Sequence, residues 1–255
     1  MSFNIQGPLV FGIDISHHNK VTDFDAIVSS NAQFCWCKAT EGRTYQDPKF
    51  KVYAGQLLER DFLTGAYHYA RPGNNSPQSE ADNFLRTIGE VDPLTLLPVL
   101  DFEEANPKVP RGQAAADWIN DWMDIVGRET GAEPVLYTGP NVLQKLGIAN
   151  FSRPGAIVWM PRYPSSARQY MTPEDSVIQK GRSDEALWDR FKVLPVDVWQ
   201  YSNKGSVPGI NGNVDLNVTD PATFRAIQTG SKLPAGLLIA GALLAAGAVY
   251  YYGKK

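Results

Sequence analysis

Histidine and cysteine are scarce in this chain, with three of the first and two of the second among 255 residues. The shortage removes whole classes of chemistry. His17 and His18 are adjacent, so on a strand they would face opposite ways and could not hold one ion together. No H-x-x-H or H-E-x-x-H spacing exists. Neither a catalytic metal nor a cofactor is expected. Cys35 and Cys37 lie two apart on one predicted strand, a poor geometry for a disulfide, and no third cysteine is available. They read as buried free thiols in no visible activating context. G-x-S-x-G, G-x-G-x-x-G and P-loop patterns are all missing, which argues against a serine-nucleophile elbow and a nucleotide cradle.

Positive charge is also in short supply. All 27 Asp and Glu precede residue 231, with 21 of the 24 Lys and Arg, so this stretch carries a net −6. A nucleic-acid partner needs a basic footprint and is not expected. Met1 to Gln6 is polar with no basic start, so no secretion signal is expected. Repeats and low-complexity segments are absent.

Long apolar runs are missing too, until the end. From Leu233 to Tyr252 no residue is charged, and the run is about as long as a hydrocarbon core requires. Pro234 suits a first helical turn, Tyr250 to Tyr252 suit an interface, and Lys254 and Lys255 close the chain. The expected organisation is a body over 1–230 and a hydrophobic segment over 231–255. Residues 233–252 are expected to form a transmembrane helix that anchors the chain to a lipid bilayer. Its orientation is not readable, because Arg225 and Lys232 flank one end and Lys254 and Lys255 the other.

In the body, short apolar runs alternate with helical periodicity. Strands are predicted at 10–15, 34–38, 65–69, 96–102, 134–137, 156–160, 196–200 and 214–217. Helices are predicted at 47–60, 78–88, 114–128, 140–146 and 222–228. Eight strands among helices imply an α/β fold with a parallel sheet, closed into a (β/α)-type barrel. Helices thin out in the second half and 164–195 reads as an irregular excursion. The predicted barrel is therefore distorted and incomplete.

In such a barrel, function gathers where the strands end. The fourth strand ends in Asp101-Phe102-Glu103, whose two carboxyls at i and i+2 leave on the same side. Facing carboxylates repel, so one tends to keep its proton, the working condition of glycosidic bond cleavage. An isolated D-x-E would more often be a solvated acidic loop. The other strand ends decide against that: Asp14, the segment Lys38 to Glu41, Tyr67 to Arg71, Tyr137, Trp159, Trp199 with Gln200, and Asp215 with Asn217. Together they describe an acidic cleft lined with aromatic rings, suited to a carbohydrate.

The same segments, in this order, resemble glycoside hydrolase family 25, the Chalaropsis-type lysozymes. They are FGIDISHHN (11–19), FCWCKATEG (34–42), GAYHYARP (65–72), LPVLDFEE (97–104), EPVLYTG (133–139), IVWMPRY (157–163), VDVWQYS (196–202) and GNVDLNV (212–218). A chitinase-like site would carry another acid two positions before Asp101, where this chain has Val99. The resemblance implies hydrolysis of the β-1,4 bond between N-acetylmuramic acid and N-acetylglucosamine in peptidoglycan strands, in a flattened, incomplete barrel. It places the general acid on Glu103 and its charged partner on Asp101, with Asp14 and Asp215 as further catalytic acids. Tyr67, Tyr137, Trp159, Trp199, Glu41 and His68 are the expected substrate-binding residues. Joined to the apolar tail, this implies a membrane-associated cell-wall lysin, in a host membrane or a virion. The alternative is a non-catalytic peptidoglycan-binding module on the same barrel.

Overall fold

The computed structural model describes residues 7–91, 93–103, 108–149, 151–183 and 196–229. The strands are β1 (Val10–Ile15), β2 (Lys20–Val21), β3 (Ala32–Glu41), β4 (Tyr45–Gln46), β5 (Leu63–Tyr69), β6 (Val99–Asp101), β7 (Val135–Tyr137), β8 (Val158–Pro161), β9 (Val198–Gly205), β10 (Ile210–Asn211) and β11 (Val214–Thr219). The helices are α1 (Phe24–Val28), α2 (Phe50–Leu58), α3 (Pro77–Ile88), α4 (Gln113–Thr130), α5 (Pro140–Leu146), α6 (Ser176–Ser183) and α7 (Pro221–Ala226).

Eight strands hydrogen-bond in the order β1-β11-β9-β8-β7-β6-β5-β3, and β3 pairs back onto β1. The wall therefore closes, which corrects the expectation of an incomplete barrel. The expected all-parallel sheet also fails, at one strand: β11 runs antiparallel to both β9 and β1. Only residues 206–213 separate β9 from β11, and a parallel return needs a crossover of roughly a dozen residues or more. A short connection therefore forces the reversal. The barrel is closed, mixed and in that sense distorted.

Alternation along the strands sorts side chains into two compartments. Phe34, Trp36, Val99, Val135, Tyr137, Trp159 and Val198 fill the barrel interior. Ile13, Cys35, Cys37, Leu100, Leu136 and Trp199 point outward into the layer beneath the helices, with Phe84 and Trp122. Inside, Trp36 stacks on Trp159 at 4.7 Å between centroids, and Tyr137 meets Trp159 edge-on at 4.7 Å. Two glycines make room for these rings. A Cβ on Gly12 would lie 2.3 Å from the Phe34 ring, and one on Gly65 would lie 2.5 Å from Trp36. At the amino-terminal end of the strands, Phe224 of α7 packs on Phe34, and the Leu97 amide donates to the Ile227 carbonyl at 2.8 Å. That end is plugged with apolar groups, so polar chemistry is confined to the other.

Helix ends follow local signals. Ser76 caps α3 by accepting from the Ser79 amide, with Pro77 in the first turn. Gly131 ends α4 in the left-handed conformation. The helix predicted from residue 47 starts at Phe50, because the Asp47 carboxylate is engaged by Lys49 and by His17. The irregular excursion contains α6, whose first turn receives Asp175; residues 184–195 lie outside the described residues. So does 231–255, the expected membrane segment. Among the described residues no helix is long and apolar enough to cross a membrane.

Candidate active site

At the carboxyl ends of the strands lies a cleft of about 570 Å³, lined by Asp14, Lys38, Glu41, Tyr67, Tyr69, Arg71, Asp101, Glu103, Tyr137, Trp159, Tyr163, Gln200 and Asp215, among others. A larger groove of about 790 Å³ near the start of β6 is mostly apolar, and Glu129 is the one carboxylate among its described lining residues. The smaller cleft, which gathers Asp14, Asp101, Glu103 and Asp215 from the strand ends, is the candidate site.

Strand β6 stops at Asp101, yet alternation persists one step further. Phe102 turns outward, fully buried against Trp118, with its amide bonded to the Tyr137 carbonyl at 2.9 Å. Glu103 thereby returns to the cleft beside Asp101. Both carboxyls are pushed above their ordinary range, by burial first. For Asp101 the neighbouring Glu103 adds to the rise, and the shift is large. Its Oδ1 is buried with no hydrogen-bond partner among the described residues. Glu103 stands at the exposed mouth, where the neighbouring Tyr69, Lys38 and Arg71 all oppose the rise. The expectation that Asp101 stays ionised while Glu103 holds the proton is thus not met in the ligand-free cleft. Burial weighs most on Asp101, while Lys38 and Arg71 favour ionisation of Glu103. Lys38 opposes the rise of Asp101 as well. The two titrate as a pair that retains a proton well above the ordinary carboxylate range.

A second pair forms the opposite wall. Asp14 and Asp215 are direct partners across β1 and β11, which puts both side chains on one face. Asp14 Oδ2 accepts from Gln200 Nε2 and Asn217 Nδ2, each at 2.9 Å. Burial raises Asp14 to about 6 against these bonds. Burial, followed by the charge of Asp14, raises Asp215 to about 9. At neutral pH Asp215 is the member of the pair that keeps its proton.

The structure separates the expected binding residues. Tyr67, Tyr137, Trp159 and Glu41 line the cleft. Trp159, however, is only 2% exposed, with Trp36 stacked on it and its Nε1 donating to Asn217 Oδ1 at 2.8 Å. It forms the floor, not an open stacking platform. His68 and Trp199 do not reach the cleft, and both expectations are corrected. His68 points outward from β5, completely buried, between Thr40 Oγ1 at 2.7 Å and Glu80 Oε2 at 2.8 Å. Trp199 points outward from β9 and donates to the Arg162 carbonyl. Each sits one residue from a cleft-lining neighbour, and strand alternation turns it away.

Several site residues had no role assigned from sequence. Gln200 is a hub: its Oε1 accepts from Tyr137 at 2.9 Å and from Tyr163, while its amide holds Asp14. Lys38 is buried and pairs with Glu41 at 2.6 Å; Arg71 pairs with Glu41 at 2.7 Å. Their strand-end positions were the available signal. Tyr163 and Asn203 lie beyond the predicted strand ends, Tyr163 two residues after β8 and Asn203 within a β9 that runs further than predicted. The His17–His18 argument also changes. These residues follow β1 in a turn, not a strand, with their rings 3.9 Å apart. Cys35 and Cys37 are buried with their sulfurs 3.8 Å apart, and burial pushes the Cys35 thiol well up.

A closed α/β barrel with paired carboxyls at the strand ends defines a barrel glycosidase site. The model for "Glycosyl hydrolases family 25" matches residues 13–210, and the chain belongs to that family, a lysozyme and N-acetylmuramidase family of glycoside hydrolases. It is 31% identical to the N,O-diacetylmuramidase of a Chalaropsis species, over 81% of this chain and 96% of that protein. It is 30% identical to lysozyme M1 of Streptomyces globisporus, over 88% of this chain and 72% of that one. The crystal structure of the Streptomyces coelicolor lysozyme superposes with a TM-score of 0.65 at 26% identity, covering 84% of this chain and 92% of the other.

Proposed function

We propose that this chain is a peptidoglycan muramidase that hydrolyses the β-1,4 bond between N-acetylmuramic acid and N-acetylglucosamine. The observation carrying the reading is the coupled Asp101–Glu103 pair in an open cleft at the strand ends. The names of the Chalaropsis and Streptomyces relatives support the substrate class.

Glu103, at the mouth, is placed to meet the leaving-group oxygen and deliver a proton to it. A bound saccharide displaces water from the cleft, which raises Glu103 further. Asp101, deeper, has an acceptor oxygen with no partner among the described residues. The substrate's acetamido N–H fills that need and lets the proton reside on Glu103. With Asp101 holding the acetamido group, its carbonyl oxygen attacks the anomeric carbon as the glycosidic bond breaks. Glu103 then removes a proton from the water that opens the cyclic intermediate, which regenerates the acid. Asp14, ionised at neutral pH, opposes the positive charge developing across the cleft.

The test is the chemistry of the released fragments. Reducing muramic acid ends support the assignment, whereas reducing glucosamine ends would overturn it. Glu103→Gln should slow release by roughly 10²–10⁴-fold, and near-normal turnover in the folded variant would remove Glu103 from the role. Unchanged activity in Asp101→Asn would remove its partner. We further propose that residues 233–252 tether this body to a bilayer as part of a membrane-associated lysin, supported by their uncharged composition.

A further inference from the structure

Asp14 Oδ2 takes two side-chain amides, Gln200 Nε2 from β9 and Asn217 Nδ2 from β11, each at 2.9 Å. An amide can turn either its NH₂ or its carbonyl to a neighbour, so the partner at its far end decides what the near end offers. In Asn217 the far end is Oδ1, which accepts from Trp159 Nε1 at 2.8 Å. An indole N–H only donates. A reversed Asn217 would set donor against donor at Trp159 and acceptor against acceptor at Asp14. In Gln200 the far end is Oε1, which accepts from the Tyr137 hydroxyl at 2.9 Å and from the Tyr163 hydroxyl. A reversed Gln200 would likewise aim its carbonyl at the Asp14 carboxylate. Both amides are buried, where a mismatched polar group is costly. Trp159 and Tyr137, expected against the sugar, thus commit their polar atoms to the amides behind a carboxylate.

We propose that Gln200 and Asn217 are positioning residues for Asp14: aromatic donors occupy the carbonyl end of each amide, so both N–H ends meet Asp14 Oδ2 and hold that carboxylate as a fixed negative charge. Both donors are neutral. They favour the ionised carboxylate without cancelling its charge, whereas an arginine partner would cancel it. A group that opposes a developing positive charge needs that combination. Burial raises Asp14 to about 6, and these two bonds act against the rise. Other titratable groups bear on Asp14: Asp215 beside it, Asp101 and Glu103 from β6, Tyr67 from β5 and Cys35 from β3. Lys38 and His18 line the same cleft. Substitution of either amide leaves all of these in place. This inference rests on Asp14 being the charge that opposes the developing cation in the proposed function.

Gln200→Met and Asn217→Leu keep the bulk of each side chain and remove its donor, and either one suffices if the other does not fold. In full-length protein labelled with ¹³C at aspartate carboxyls, the Asp14 signal is assigned by its loss in Asp14→Asn. Its titration midpoint should rise by roughly one pH unit in each variant. The acid limb of kcat on peptidoglycan should move up with it. At pH 6 kcat should fall about 3–10-fold with little change in KM, the loss of ionised Asp14 that such a shift produces. An unmoved midpoint in a folded variant overturns the proposal. A midpoint that moves while the acid limb stays removes Asp14 from its role in the reaction and leaves the amide pair standing. Tyr137→Phe combined with Tyr163→Phe supplies the second arm, because it frees the carbonyl end of Gln200. The pair should raise the midpoint when Gln200 is present and add little in the Gln200→Met background. Equal shifts in both backgrounds would show that the phenols do not act through the amide.

Discussion

At the scale of single residues, Asp14 and Asp215 make the site costly to hold at alkaline pH. Burial raises both, Asp215 to about 9. A carboxyl whose folded value lies above its unfolded one, near 3.9, contributes stability that is fully present below about pH 4. That contribution is lost as pH rises through the folded value. Asp215→Asn keeps the size and shape of the side chain without a charge to bury. Its melting temperature should match wild type near pH 4 and exceed it increasingly towards pH 9. By pH 8 a gain of at least roughly 2–4 °C is expected, the equivalent of about 1 kcal/mol in a domain of this size. Calorimetry across that range checks it, and a gain independent of pH would contradict the shifted carboxyl. The same variant should turn over peptidoglycan more slowly. The Asp101–Glu103 pair was legible residue by residue, because i and i+2 spacing survives even where β6 ends. That both are pushed upward was not legible in full, since the burial and the opposing cations Lys38 and Arg71 come from distant parts of the chain.

At the scale of elements, a buried carboxylate helps to tie α3 to the barrel wall. Glu80 accepts from the Arg71 amide at 3.0 Å, from Asn75 Nδ2 at 2.8 Å and from His68 Nε2 at 2.8 Å. Glu80→Ala leaves these polar groups facing an apolar gap, at about 1–3 kcal/mol for each that stays unsatisfied. A total loss of roughly 2–4 kcal/mol in urea unfolding is expected, with part of the activity lost because Arg71 is no longer fixed. A loss under about 0.5 kcal/mol, the scale of an ordinary surface substitution, would show the network to be dispensable. All eight barrel strands were legible from apolar runs. The direction of β11 was not, because direction depends on the length of the connection and not on the strand's own residues. His68 and Trp199 were misplaced for a related reason. A polar or aromatic residue at a strand end suggests a site, but facing is decided by register, and one residue reverses it.

At the scale of the whole molecule, a closed barrel plugged at one end by Phe224, Ile227 and Leu96 leaves the other as the sole end where polar groups converge among the described residues. Residues 231–255 belong to this scale as well. If they anchor the chain, full-length protein should partition with liposomes while a 1–230 truncation stays in buffer and keeps its muramidase activity. Both remaining in buffer would end the tether proposal. The sequence by itself determined the class of fold, the order of its strands, the family, and the acidic residues of the cleft. These follow from local pattern: apolar period, spacing along one strand, and motifs in order. Tertiary structure alone decided that the ring closes, that β11 runs backwards, that Trp159 is floor, and that Tyr69, Lys38 and Arg71 bear on Glu103. Those outcomes depend on groups far apart in the chain meeting where water is excluded. Charge and hydrogen bonding there are set by neighbours in space, and no local pattern encodes them.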